Sequence, residues 1–209
     1  PLEAAPTRDT LSDLVFLRLN DDGSLDESFG TMGRTIVSFG GTPEDQVWGL
    51  DIDEDDRVYA FGSGLAPASS TRTDSDRYVV RLTAEGVLDP DWGTAGLATF
   101  DVPQGTLEAP TSPTLRLNDN QRHGFVTPDG SVISAGYTNV AGRNQVVLAK
   151  FTADGVLDTD FSGDGIARVS PFPNGMAEAY GAAIQTDANA VAGFVTTGYG
   201  RVDDDSKTD

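Results

Sequence analysis

An all-β chain built from repeats of a four-stranded unit is the fold class the sequence predicts, and three observations predict it. One eight-residue phrase recurs three times, as GSLDESFG at 23–30, GVLDPDWG at 86–93 and GVLDTDFS at 155–162. The runs between the phrases alternate or stay apolar over about four to eight residues and are rich in Val, Ile, Phe and Tyr, which is the patterning of strands. No long stretch combines a 3.6-residue apolar period with helix caps.

Glycines set the repeat. Gly23 and Gly86 are 63 residues apart, and Gly86 and Gly155 are 69 apart, so the chain is self-similar in the way that marks propeller blades or solenoid turns. A basic residue stands five positions before each glycine, at Arg18, Arg81 and Lys150. After it come Asp26, Asp89 and Asp158, then the aromatics Phe29, Trp92 and Phe161, and a second glycine closes the phrases 23–33, 86–96 and 155–165. The short DDG, AEG, ADG and PDG segments read as hairpin turns, with Asp bonding its own backbone and Gly supplying a positive φ.

The second half of each unit is looser. Trp48, His123 and Tyr180 are ring residues followed by glycine, and their distances from the preceding second glycine are 15, 27 and 15 residues. The middle unit therefore carries an insertion within 101–122, stiffened by Pro110 and Pro113. Each unit of about 58–69 residues offers four strands, in the first TIVSF, VWGLDI, RVYAFG and RYVVRL, the content of one propeller blade. The expected layout is an N-terminal extension at 1–13, three repeats over 14–200 and an acidic tail at 201–209 too polar to pack. The segment SGLAPASSTRTDSDR before Tyr78 reads as a loop. Three blades fall short of the roughly four to eight that close a propeller. A partial propeller, or half of an assembled one, is expected, with further blades of the same or another chain covering its flanks.

Charge excludes some partners. Fourteen Lys and Arg against 33 Asp and Glu give a net charge of −19, which argues against nucleic acid and anionic lipid surfaces, since both need clustered cations. There is no cysteine, hence no disulfide framework and no thiolate site. No apolar run is long enough to span a bilayer as a helix.

Residues with possible chemistry are few. A carboxylate that recurs in every repeat is a structural device, so Asp26, Asp89 and Asp158 are read as turn caps paired with Arg18, Arg81 and Lys150, and Phe29, Trp92 and Phe161 as wedges between blades. Calcium takes several oxygen ligands from a tight loop, which makes Asp158, Asp160 and Asp164 its candidates. DIDEDD at 51–56 aligns with a hairpin turn instead. His123 is the single histidine, a poor start for a triad or a zinc site. No nucleophile elbow or phosphate loop is present, so no catalytic residue and no cofactor beyond calcium is assigned.

The strand ending in Arg-Leu, the phrase DGSLDESFG and the later PDGSVISAG together resemble the bacterial delta-60 repeat, over residues 14 to 200. The resemblance implies a secreted or surface-exposed β-propeller without an assigned activity. The expected function is a non-enzymatic extracytoplasmic scaffold that presents loops to a protein or glycan partner. A polysaccharide-acting enzyme and a calcium-stabilised subunit of a surface assembly are the alternatives.

Overall fold

The computed structural model describes residues 13–38, 46–65, 75–102, 119–140, 143–187 and 190–202. Its strands are β1 (Leu14–Leu17), β2 (Arg34–Val37), β3 (Gln46–Ile52), β4 (Val58–Leu65), β5 (Ser75–Leu82), β6 (Leu97–Phe100), β7 (Asp119–Val126), β8 (Val132–Val140), β9 (Arg143–Phe151), β10 (Ile166–Val169), β11 (Met176–Asp187) and β12 (Ala190–Arg201). There is no helix among the described residues. Every pairing is antiparallel, in four sheets ordered β1-β2, β3-β4-β5-β6, β10-β9-β8-β7 and β11-β12. These are two complete blades flanked by two half-blades.

The blade content matches the sequence, but its phase along the chain differs by one strand. TIVSF does not open the first blade. Its Thr35, Ile36 and Val37 lie in β2, which pairs with β1, while VWGLDI, RVYAFG and RYVVRL are joined by β6 as their fourth strand. The repeated phrase is therefore the connection between the third and fourth strands of one blade. The segment expected as an insertion, 101–122, ends in strand, because β7 begins at Asp119, and the extension, the loop before Tyr78 and the tail lie largely outside the described residues.

Each phrase is held by the same bonds. The hairpin closes through Asn20 N to Ser24 O at 2.8 Å, Thr83 N to Val87 O at 2.8 Å and Thr152 N to Val156 O at 2.8 Å, and Gly23, Gly86 and Gly155 each sit near φ +80°, where a side chain is strained. In the first blade's inner hairpin, Asp56 takes the left-handed position with φ 60° that Gly130 holds in the second.

Three apolar layers separate the sheets. One gathers Leu14, Phe16, Phe29, Val58, Tyr78, Val80 and Leu82 between the first half-blade and the first full blade. Another gathers Phe61, Val79, Trp92, Phe100, Val147 and Phe151 between the two full blades. The third is smaller and packs Ile133, Ala135 and Leu148 with Phe161, Ala182 and Phe194 between the second full blade and β11-β12. At the first two joints an aromatic seats on the next repeat's hairpin glycine. A Cβ on Gly86 would meet the Phe29 ring at 2.7 Å, and one on Gly155 the Trp92 ring at 2.7 Å. Backbone bonds reinforce this, Gly30 N to Glu85 O at 2.7 Å and Gly93 N to Asp154 O at 2.8 Å.

Arg77 is wholly buried at the joint between the full blades, with Nη1 donating to Val147 O at 3.4 Å and no hydrogen-bond partner for Nε or Nη2. Burial pulls its pKa down to about 10, against the opposing pull of Asp119, so it stays charged at neutral pH.

Candidate functional site

The first strands of successive sheets pack side by side, β3 against β7 and β7 against β11, on the inner side of the fan. Each carries one β-bulge near its start. The register jumps between Val47 and Gly49, between Gln121 and His123, and between Ala179 and Gly181. The extra residues are Trp48, Arg122 and Tyr180, each just after a residue paired with a glycine of the neighbouring second strand, Val47 with Gly62, Gln121 with Gly136 and Ala179 with Gly198. A bulge redirects a side chain out of the alternating pattern, and here it turns three side chains toward one another.

The alignment of His123 with Trp48 and Tyr180 is thus corrected by one position. Arg122 is their equivalent, and His123 corresponds to the glycines Gly49 and Gly181. His123 instead lies 6.4 Å from the Phe125 ring, with Nδ1 buried and without a hydrogen-bond partner. Glycine after the bulge lets the inner strands close up: a Cβ on Gly49 would stand 3.3 Å from the His123 Cα and the Gly124 nitrogen.

Arg122 is the hub. Its guanidinium carbon lies 4.5 Å from the Trp48 ring centroid, 5.0 Å from that of Tyr180 and 5.2 Å from that of Tyr137, all within cation–π range. Nη2 donates to the Tyr137 hydroxyl at 2.8 Å, and Nε is buried without a partner. Tyr137 stacks on Tyr180 with centroids 6.4 Å apart, and Tyr180 lies 5.6 Å from Tyr199. Beneath them Glu178 is buried and accepts hydrogen bonds from the Tyr180 hydroxyl at 3.0 Å, the Tyr199 hydroxyl at 3.0 Å and the Asn144 amide. Desolvation, then the Glu178 carboxylate, pushes the Tyr199 hydroxyl well above its ordinary range, so it stays a donor. Trp48, Tyr180 and Tyr199 nevertheless remain 50, 44 and 55 % exposed. The cluster is an aromatic shelf on a cationic and hydrogen-bonded base.

The repeated side chains form separate units on the blades. Arg18 Nε meets Asp26 at 2.7 Å, Arg81 Nη2 meets Asp89 at 2.7 Å and Lys150 Nζ meets Asp158 at 2.8 Å. The other oxygen of each carboxylate accepts an amide two residues on, from Ser28 at 3.0 Å, Asp91 at 3.1 Å and Asp160 at 3.1 Å. The Ser28 hydroxyl and amide, with Arg18, hold the Asp26 carboxyl below the usual range, and the bond from Lys150 does the same for Asp158. Arg18 also covers Phe29 at 4.9 Å and Arg81 covers Trp92 at 5.5 Å. Phe29 and Trp92 are buried, whereas Phe161 is half-buried and meets Phe194 at 5.9 Å.

Of the calcium candidates, Asp158 is engaged as above, and Asp164 accepts from Ile166 N at 2.9 Å and Arg168 Nη1 at 3.0 Å. Among the described residues, no group of three or more acidic or histidine side chains is arranged to hold a metal ion. In DIDEDD, Asp53 accepts from Arg57 and Tyr59, and Asp51 accepts from Val126 N of the next blade at 2.8 Å. Sequence reasoning missed Arg122, Tyr137, Glu178 and Tyr199. Recurrence was the signal it followed, and this cluster is built from residues that differ between repeats.

The class that fold and site define is a β-propeller wedge with an aromatic shelf on its inner strands. A family model described as a domain of unknown function (DUF5122) beta-propeller matches residues 7–29 and 127–161, two stretches that include the strand-and-hairpin segments ending at Phe29 and Phe161. The chain is therefore similar to a β-propeller repeat family over those segments. No curated protein matches it.

Proposed function

We propose that the chain is a non-enzymatic, extracytoplasmic binding module of delta-60-type repeats, and that its inner-strand cluster binds the ring face of a neutral glycan. The observation that carries this reading is the half-exposed Trp48 ring, fixed by Arg122 beside Tyr180 and Tyr199. The C–H faces of sugar rings stack on such aromatic surfaces, and the bonds from the Tyr180 and Tyr199 hydroxyls to Glu178 hold the rings in place for it. Aromatics with a polar tip suit a surface that is apolar at one end and wet at the other. A net charge of −19 disfavours an anionic polymer, and Arg122 already occupies ring faces that a cationic ligand would need.

Binding is favoured over hydrolysis by the surroundings of Glu178. Glycoside cleavage uses two carboxyl groups flanking the bond, and Glu178 is instead held by two tyrosine hydroxyls and an amide. A panel of immobilised neutral oligosaccharides tests the reading. The wild-type chain is expected to be retained on at least one, with affinity falling about tenfold or more in Trp48→Ala and in Tyr180→Ala and no reducing ends released. Equal retention of both variants and wild type would refute the site.

A further inference from the structure

A groove of about 520 Å³ lies between the inner hairpins of the two complete blades. Glu54 and Asp55 of the β3-β4 turn line one side and Asp129 of the β7-β8 turn the other, with Ala153 of the second blade's repeated phrase beside it. Its apolar lining is Ile52, Val126 and Ile184. These three occupy one position in the repeat, three residues past Gly49, His123 and Gly181. Ile52 and Ile184 belong to none of the apolar layers between the sheets. Packing of the fold therefore does not account for a branched aliphatic residue at the end of each inner strand.

The end of the molecule that holds the groove is acidic. In an antiparallel sheet of four strands the first and third connections leave at the same end. The turns 53–57 and 127–131 and the phrases 20–33, 83–96 and 152–165 therefore lie together, opposite the shelf. These five segments carry 16 of the chain's 33 acidic residues and one of its 14 basic ones, Arg57. Arg57 is already paired, with Asp53 at 2.7 Å and Asp55 at 3.0 Å. Glu54 is exposed, and Asp129 is held by neutral donors, the Thr127 hydroxyl and the Ser131 amide at 3.1 Å.

We propose that this groove docks a basic, extended segment of a partner protein. The aliphatic stem of a lysine or arginine lies against Ile52, Val126 and Ile184, and its cation meets Glu54 and Asp129 at the rim. Charge complementarity selects this occupant. Lysine and arginine are the side chains that join an apolar stem to a positive head, so they use both parts of the lining at once. An apolar segment would leave the rim carboxylates facing uncharged surface, and a bare cation would leave the aliphatic lining unused. The field of a chain of net charge −19 also draws a basic partner in and raises its rate of association. The groove lies at the opposite end from the shelf and takes nothing from the glycan reading.

Fluorescence anisotropy of a labelled octalysine peptide, titrated with the 209-residue chain at about 0.15 M salt, tests this. Saturation at one peptide per chain is expected, with no binding of an octaglutamate of the same length. Diffuse attraction to the net charge would also hold octalysine, so matched variants decide. Ala153→Trp fills the groove from an exposed position without changing charge, and is expected to weaken binding about tenfold or more. Val87→Trp adds the same bulk at an exposed position elsewhere on this end and should bind as wild type. Glu54→Lys reverses one rim charge and should cost about tenfold, whereas Glu27→Lys, equally exposed on the first phrase, should cost far less. All four are surface changes, and unchanged melting midpoints confirm that each variant is folded. Groove variants no weaker than their controls would overturn the proposal. So would a wild-type titration that does not saturate.

Discussion

A turn aspartate, a cation and an aromatic ring recur in each repeat, and burial decides how much each copy contributes. Arg81 and Asp89 are about nine-tenths buried, so removing one partner leaves a buried charge. Asp89→Asn is expected to cost about 3–5 kcal/mol in denaturant unfolding. Asp26→Asn, where Arg18 and Asp26 keep 41 and 24 % of their side chains exposed, is expected to cost less. Trp92→Ala empties the joint between the full blades and is expected to cost about 3–5 kcal/mol. Gly155→Ala adds a Cβ against that ring at a left-handed position, for a loss of about 2 kcal/mol or more. Gly163→Ala, left-handed but with open space around it, should lose about 1 kcal/mol. The carboxyls of Asp26, Asp53, Asp129, Asp158 and Asp164 lie below their ordinary values. Depressed carboxyls stabilise above the unfolded pKa near 4 and lose that contribution as pH falls through the folded value. The melting midpoint should therefore hold from about pH 7 to pH 5 and drop below about pH 4. Recurrence made the repeated triplet legible in the sequence. It could not separate His123 from Arg122, because a bulge inserts one residue without marking which of its neighbours is the extra one.

At the scale of elements, strand patterning was legible wherever Val, Ile and aromatics alternate between Asp-Gly turns. The grouping of strands into blades was not. Alternation tells which residues share a face, and it is silent on which neighbour a strand pairs with. The phrase 23–33 joins β1 to β2 as a local antiparallel connection, so TIVSF pairs backward in the chain instead of forward with VWGLDI. The inner strands show how the backbone sets the site. Gly49 keeps β3 close to β7, and Gly49→Val would push them apart by overpacking, at about 1–3 kcal/mol. That separation would also pull Trp48 away from Arg122, so this variant should lose ligand affinity as well as stability, a pairing that thermal melts and binding assays on one sample would reveal.

For the molecule as a whole, the cores lie between neighbouring sheets, half-blades included, and the inner strands gather the residues that do not repeat. The general architecture followed from the repeat because its hairpins and wedges are written three times. The shelf did not, because Trp48, Arg122, Tyr137, Glu178, Tyr180 and Tyr199 come from five strands and meet only when the sheets are stacked. The central claim is that this shelf is the binding surface. Tryptophan fluorescence tests it directly, since the two tryptophans differ sharply, Trp48 half exposed in the shelf and Trp92 wholly buried between blades. Titrating the retained oligosaccharide should shift the emission of the wild-type chain with a saturating profile, and Trp48→Phe should abolish the shift. Saturable binding, measured by calorimetry on the same sample, with an unchanged emission spectrum would place the ligand elsewhere and contradict the account.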